Sequence, residues 1–166
     1  MSKKLVTFLL ALLFCLCFAF AACAENPGGD NPHTNDGIID DNNDGEITVM
    51  YLTINGNKMK VTLAQNSTVT ALVELLKQDD ITYTANDYGG FEKVGGLGHT
   101  LPTNHVQTVT EPGDIVLYQT NQIVMFYGSN SWGYTKIGKI NYSSQSELES
   151  FLGAGQGTVQ VTISLN

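Results

Sequence analysis

YGGFEKVGGLGHTLPTNHVQTVTEPGDIVLYQTNQIVMFYGSNSWGYTKIGKI, running from Tyr88 to Ile140, is the stretch whose reading decides the fold. At its centre, Asp114-Ile-Val-Leu-Tyr118 and Ile123-Val-Met-Phe-Tyr127 flank a polar break from Gln119 to Gln122. Two short apolar, β-rich runs around a polar break read as paired strands. On the N-terminal side, four glycines fall between Gly89 and Gly96, with a fifth at Gly98. On the other side, Gly128-Ser-Asn-Ser-Trp-Gly133 sets the only Trp of the chain among small polar residues.

Strand signals continue outward in both directions. Ile47 to Ile54 is β-branched and aromatic-rich, and Asn55-Gly56 after it is the strongest short hairpin signal. Lys58 to Leu63 alternates apolar with polar and pairs back. Ser67 or Thr68 then offers a helix N-cap, and Val69, Leu72, Val73 and Leu76 follow at helical spacing as one apolar stripe. That stripe is expected to plug a barrel end rather than to bind a partner, so the chain is read as a monomer. Ile81 to Ala85 returns to period two. Near the C-terminus, Ser144-Gln-Ser-Glu147 is a capping box that starts a short helix carrying Leu148, Phe151 and Leu152, stopped by Gly153. Val159, Val161, Ile163 and Leu165 alternate in a last strand. Many short strands, two isolated helices and no repeated βαβ unit predict a mainly β fold, a closed barrel rather than a parallel sheet.

Several motifs, in order and spacing, resemble the bacterial cyclophilin-like domain family. They are Asp87-Tyr88-Gly89-Gly90, Glu92-Lys93-Val94-Gly95, Leu101-Pro102, Pro112-Gly113-Asp114, Leu117-Tyr118, Tyr127-Gly128, Ser131-Trp132 with Tyr134, and Ile137-Gly138. The resemblance runs from about Ile47 to the C-terminus. It implies a closed cyclophilin-like β-barrel of about eight strands, capped by two short α-helices. Members of this family occur alone, behind lipoprotein leaders, or fused to redox enzymes.

The N-terminus has its own logic. Lys3 and Lys4 precede an apolar run from Leu5 to Phe20, and small residues follow at Ala21-Ala22-Cys23-Ala24. This is the layout of a secretory signal peptide, assigned to residues 1–22. Phe20-Ala21-Ala22-Cys23 resembles a lipobox, which would lipidate Cys23 and hold the protein to the bacterial membrane. Ala22-Cys23-Ala24 also fits ordinary signal peptidase, which would release a secreted protein. Cys15, Cys17 and Cys23 are the only cysteines, so the domain beyond the leader has neither a disulfide nor a cysteine nucleophile.

Residues 23–46 read as an acidic disordered tether. Seven of the sixteen acids lie between Glu25 and Glu46, with no Lys or Arg among them, and such composition buries too little surface to offset chain entropy. Asp40-x-Asn42-x-Asp44-Gly45 copies half of an EF-hand loop, but the twelfth position is Tyr51 rather than the bidentate Glu. A solvated linker is the expectation. Residues 47–166 make one domain. With no basic stripe, nucleic-acid binding is not expected.

The chemistry is weighed mostly by what is missing. Cyclophilins are prolyl isomerases that polarise the prolyl amide with an arginine. All eight basic residues here are lysines, so this chain has no guanidinium to offer. Gly90-Phe-Glu-Lys-Val-Gly95 has P-loop spacing, yet Gly96-Leu97 stands where Lys-Ser/Thr must be. Gly96-Leu-Gly98-His-Thr-Leu101 lacks the third glycine of a dinucleotide fingerprint. These glycines are read as bulges and corners of a tight barrel. His33, His99 and His105 lack metal spacing, so no metal and no cofactor are expected.

One aromatic and polar group remains: Tyr88, Phe91, Glu92, Asn130, Trp132 and Tyr134. The resemblance places such segments beside the concave face where cyclophilins hold a peptide. Two places are open to Trp132 and Tyr134, the closed core of the barrel or the border of that face. Glu92 and Lys93 are read as a solvated ion pair. The expected function is a lipid-anchored, non-catalytic module binding a peptide or small molecule. A divergent prolyl isomerase or foldase for exported chains is the second reading, and a structural or adhesive envelope domain the third.

Overall fold

The computed structural model of the chain describes residues 46–166. The signal peptide, the Cys23 lipidation site and the tether up to residue 45 lie outside them. Along the described chain run β1 (Val49–Ile54), β2 (Asn57–Leu63), α1 (Ser67–Leu76), β3 (Ile81–Tyr88), β4 (Glu92–Gly96) and β5 (Val106–Val109). Then come β6 (Asp114–Tyr118), β7 (Gln122–Phe126), β8 (Ser131–Ile140), α2 (Gln145–Leu152) and β9 (Val159–Ser164).

The local signals act as their chemistry dictates. Ile54 pairs with Asn57, which leaves Asn55 and Gly56 as the turn, both at positive φ (52° and 79°). This is the primed geometry that matches strand twist. The N-cap of α1 is Asn66, not Ser67 or Thr68: its Oδ1 accepts from the Val69 backbone N–H at 3.0 Å. The Asn66 amide also donates to the Lys136 carbonyl at 2.8 Å, a tertiary bond that a shorter hydroxyl does not reach. Thr68 instead turns inward and donates to the Pro102 carbonyl at 2.6 Å. At α2 the Ser144 hydroxyl accepts from the Glu147 N–H, Glu147 reaches back to the Ser143 N–H, and Gly153 closes the helix at φ 62°. Tyr51, the twelfth position of the calcium-loop pattern, lies within β1, paired with Lys60 and Ser164.

The sheet order is β2-β1-β9-β3-β4-β7-β6-β8, and β2 pairs again with β8. Eight antiparallel strands therefore close into a barrel, and β5 joins it only through the first half of β8. Closure removes the sheet edges that would otherwise template aggregation. The seam sets Val61 against Ile140, Thr62 against Lys139 and Leu63 against Gly138. A side chain at Gly138 would run into the Thr62 carbonyl, and one at Gly95 into the Thr84 carbonyl and the Tyr83 ring. Glycine inside these strands is thus a requirement of close backbone approach.

β1, β3 and β9 bury alternate residues, sending Met50, Leu52, Ile54, Ile81, Tyr83, Ala85, Val159, Val161 and Ile163 into the barrel. The stripes of both helices, Val69, Leu72, Val73 and Leu76 from α1 and Leu148, Phe151 and Leu152 from α2, join the same core.

Lys93 overturns the reading of a solvated pair with Glu92. Successive residues on a strand point to opposite faces. Lys93 is completely buried, its Nζ 2.9 Å from Asp87 Oδ1 and 2.6 Å from the Gly157 carbonyl. Asp87 also accepts from the Tyr127 hydroxyl at 3.0 Å and the Gly157 N–H at 2.6 Å. Burial pushes the Asp87 carboxyl up, but the bonds from Lys93, Gly157 and Tyr127 outweigh it and hold its pKa below the usual value. The network ties β3, β4 and the loop before β9 together. Replacing Lys93 by Met strands a largely buried carboxylate, so urea denaturation should show a loss of about 3 kcal/mol. The double variant Lys93→Met/Asp87→Asn should recover most of it. A double variant as unstable as the single one would assign the loss to packing instead.

Candidate functional site

β4, β7, β6 and β8 lie side by side, and their outward side chains build a second apolar layer outside the barrel. Val116, Val124, Phe126 and Tyr134 are buried there, with Phe91, Val94 and Tyr118 packed against them. The cause is in the sequence. β6 and β7 are apolar at consecutive positions, so neither strand has a polar face to give to water. Ile115, Leu117, Ile123 and Met125 take the inner side, and the remaining residues must be covered from without. Phe91 stacks parallel on Phe126 with ring centroids 6.5 Å apart, while Tyr134 meets Phe126 edge-on at 5.7 Å and Tyr118 at 6.1 Å.

This layer is only partly roofed. A groove of about 400 Å³ opens above it, bordered by five of the six residues singled out from sequence: Tyr88, Glu92, Asn130, Trp132 and Tyr134. The sixth, Phe91, is half-buried and packs against the layer rather than forming the groove wall. Trp132 is 58% exposed and Tyr134 belongs to the outer layer, so neither closes the barrel core. Asn130 fixes the Tyr134 hydroxyl through its Nδ2 at 3.0 Å, and its Oδ1 caps the Ser131 N–H at 2.8 Å. Val94, Tyr118, Gln122 and Val124 complete the wall and were not singled out from sequence. Their signal was the unbroken apolar character of the central runs, which marks strands covered on both faces.

Glu92 is the one charged residue of the wall. It is 5% exposed, and its Oε2 has no hydrogen-bond partner. Burial alone raises its pKa from 4.5 to about 7. The Tyr127 hydroxyl is pushed up to about 12, by desolvation first and then by its bond to Asp87, with Glu92 adding repulsion. Tyr134 is raised in the same way, by desolvation and then by Glu92. No lysine or histidine is part of the wall. Among the described residues, no three His, Asp or Glu side chains gather as a metal site.

The buried Glu92 carries a pH signature. Its pKa is higher folded than unfolded, so the folded state binds the proton more tightly. Stability should therefore fall as pH rises from 4.5 through about 7, then level off. At about 1.4 kcal/mol per pKa unit, the loss is on the order of 3 to 4 kcal/mol. Glu92→Gln should flatten this slope in urea denaturation taken across that range. An unchanged slope would place the titration elsewhere.

A search among curated proteins finds no match to this chain. Among solved structures, a hypothetical protein from Archaeoglobus fulgidus, determined in solution, matches with a TM-score of 0.53 at 18% identity. The match covers 72% of this chain and 95% of that one, and it shows the fold alone. The sequence model of the Cyclophilin-like family matches residues 52–164, from β1 through β9. The chain belongs to the Cyclophilin-like family.

Proposed function

We propose that this protein is a binding module, which takes a peptide or small molecule in the groove on the outer face of its barrel. The observation that carries this reading is a 400 Å³ hollow with an exposed Trp132 on its border and an apolar floor. An exposed indole beside a few placed polar groups is the usual make-up of a small ligand site. Binding is favoured over isomerisation because the chain has no arginine and no base in the groove wall to polarise a prolyl amide. Lipid on Cys23, followed by the acidic segment before Glu46, would hold this module at the bacterial envelope.

The first test is an NMR titration of the full-length chain in an uncharged maltoside detergent. The panel holds proline-containing peptides, other peptides and small molecules. Binding should shift the Trp132 indole, Tyr88 and Asn130 signals together, and Trp132→Ala should weaken it about ten-fold or more. A panel that shifts none of these signals sinks the groove reading. Faster cis–trans exchange in a bound proline peptide would move the assignment to an isomerase. Anchoring is read separately: labelled palmitate should enter the wild-type chain in a bacterial host and not the Cys23→Ala variant.

A further inference from the structure

Two observations on the groove are left over once its shape is accounted for. The first is a carboxyl group in an apolar floor. Glu92 is almost wholly buried, lines the hollow, and keeps an oxygen with no hydrogen-bond partner in the protein. A buried carboxylate without partners is costly unless a donor or a positive charge arrives to meet it. The obvious internal candidate is Lys93, the next residue in sequence, but it sits on the opposite face of β4 and is held by Asp87 and Gly157. The second observation is what surrounds the carboxyl. Tyr88, Tyr118, Trp132 and Tyr134 line the same hollow, and the only other polar side chains are the neutral amides of Gln122 and Asn130.

Aromatic faces are negative, and together with one acid and no base they give the groove a single sign. Such a site repels anions. It offers a cation two attractions at once, the ring quadrupoles and the Glu92 carboxylate. We propose that the groove recognises an organic cation, an alkylammonium group seated among these rings with its charge on Glu92. This rests on the groove being the binding site, and it adds the chemical class of the ligand. The ammonium can be that of a free amine or of a lysine side chain in a peptide; both present the same head on an apolar stem. The arriving charge takes the place of the proton that burial keeps on Glu92, so binding releases that proton where the free carboxyl is still protonated. The titratable groups that face Glu92 are the phenols of Tyr88, Tyr118, Tyr127 and Tyr134, and no second carboxyl lines the hollow.

Matched probes test this on the full-length chain in maltoside, with the Trp132 indole signal as reporter. Butylammonium is titrated against butanol, and blocked lysine against its ε-acetylated form. The expected result at about pH 8 is a preference of about ten-fold or more for the charged member of at least one pair. If only butylammonium shows it, the source is a free amine; if only blocked lysine does, it is a peptide. Glu92→Gln, nearly the same shape, should abolish the preference for the charged member of each pair. In the wild type, affinity for the charged probe should climb between about pH 6 and pH 8 while the neutral probe stays flat. Neutral probes that bind as well as charged ones overturn the proposal while leaving the groove reading intact. A preference that survives Glu92→Gln does the same. If nothing in this set or in the wider panel moves Trp132, both readings fall together.

Discussion

Everything in this domain depends on the seam between β2 and β8. Three residue pairs there convert an open sheet into a closed one, and closure gives the molecule a single inside. The backbones approach so closely that β8 must carry glycine at position 138, opposite Leu63. Once the seam is made, the helical stripes of α1 and α2 and the inner residues of eight strands share one apolar core. The three-turn helix and the two-turn helix are too short to be stable alone, so their order is borrowed from that core.

Closure also creates the outer face on which the groove sits. A barrel strand normally shows polar residues to water, as β3 does with Thr82, Thr84 and Asn86. β6 and β7 break that habit, and the surplus apolar side chains demand a second, smaller cluster outside the wall. A four-stranded patch cannot cover itself. Phe91 and Tyr134 roof part of it, and what they leave open is a shallow hollow with Trp132 on its border. The groove is thus a consequence of packing an apolar face with too few residues to enclose it.

β4 carries two buried charges on adjacent residues, and the alternation of a strand gives them opposite fates. Lys93 enters a network in which ammonium, carboxylate, phenol and backbone satisfy one another. Glu92 enters the apolar outer layer, where its Oε2 goes unpartnered. A fully paired internal charge binds elements together; an incompletely paired one beside a cavity is an invitation to a ligand. Family membership fixes neither use. The fold is shared with the family, and the chemistry of this chain is to be read from the residues that line its own groove.

The sequence by itself determined the class of fold, because its signals are local. Asn55-Gly56 and the Ser144–Glu147 capping box act within a few residues and form as read, while the alternation of β9 holds from Val159 to Ile163 and the strand ends before Leu165. Five of the six candidate residues could be gathered from sequence because they flank the central hairpin on either side. What only the tertiary structure decided is non-local. The N-cap of α1 went to Asn66 because its amide also reaches Lys136, seventy residues away. Glu92 and Lys93, taken from sequence as a pair, were parted by the pleat and by an Asp87 that folding brought beside Lys93. Val94, Tyr118, Gln122 and Val124 became groove wall through a strand order, β4-β7-β6-β8, that no local pattern encodes. Capping, turn geometry and periodicity are written in neighbouring residues; which charges lose their water, and which apolar faces lack a cover, is settled only when distant strands meet.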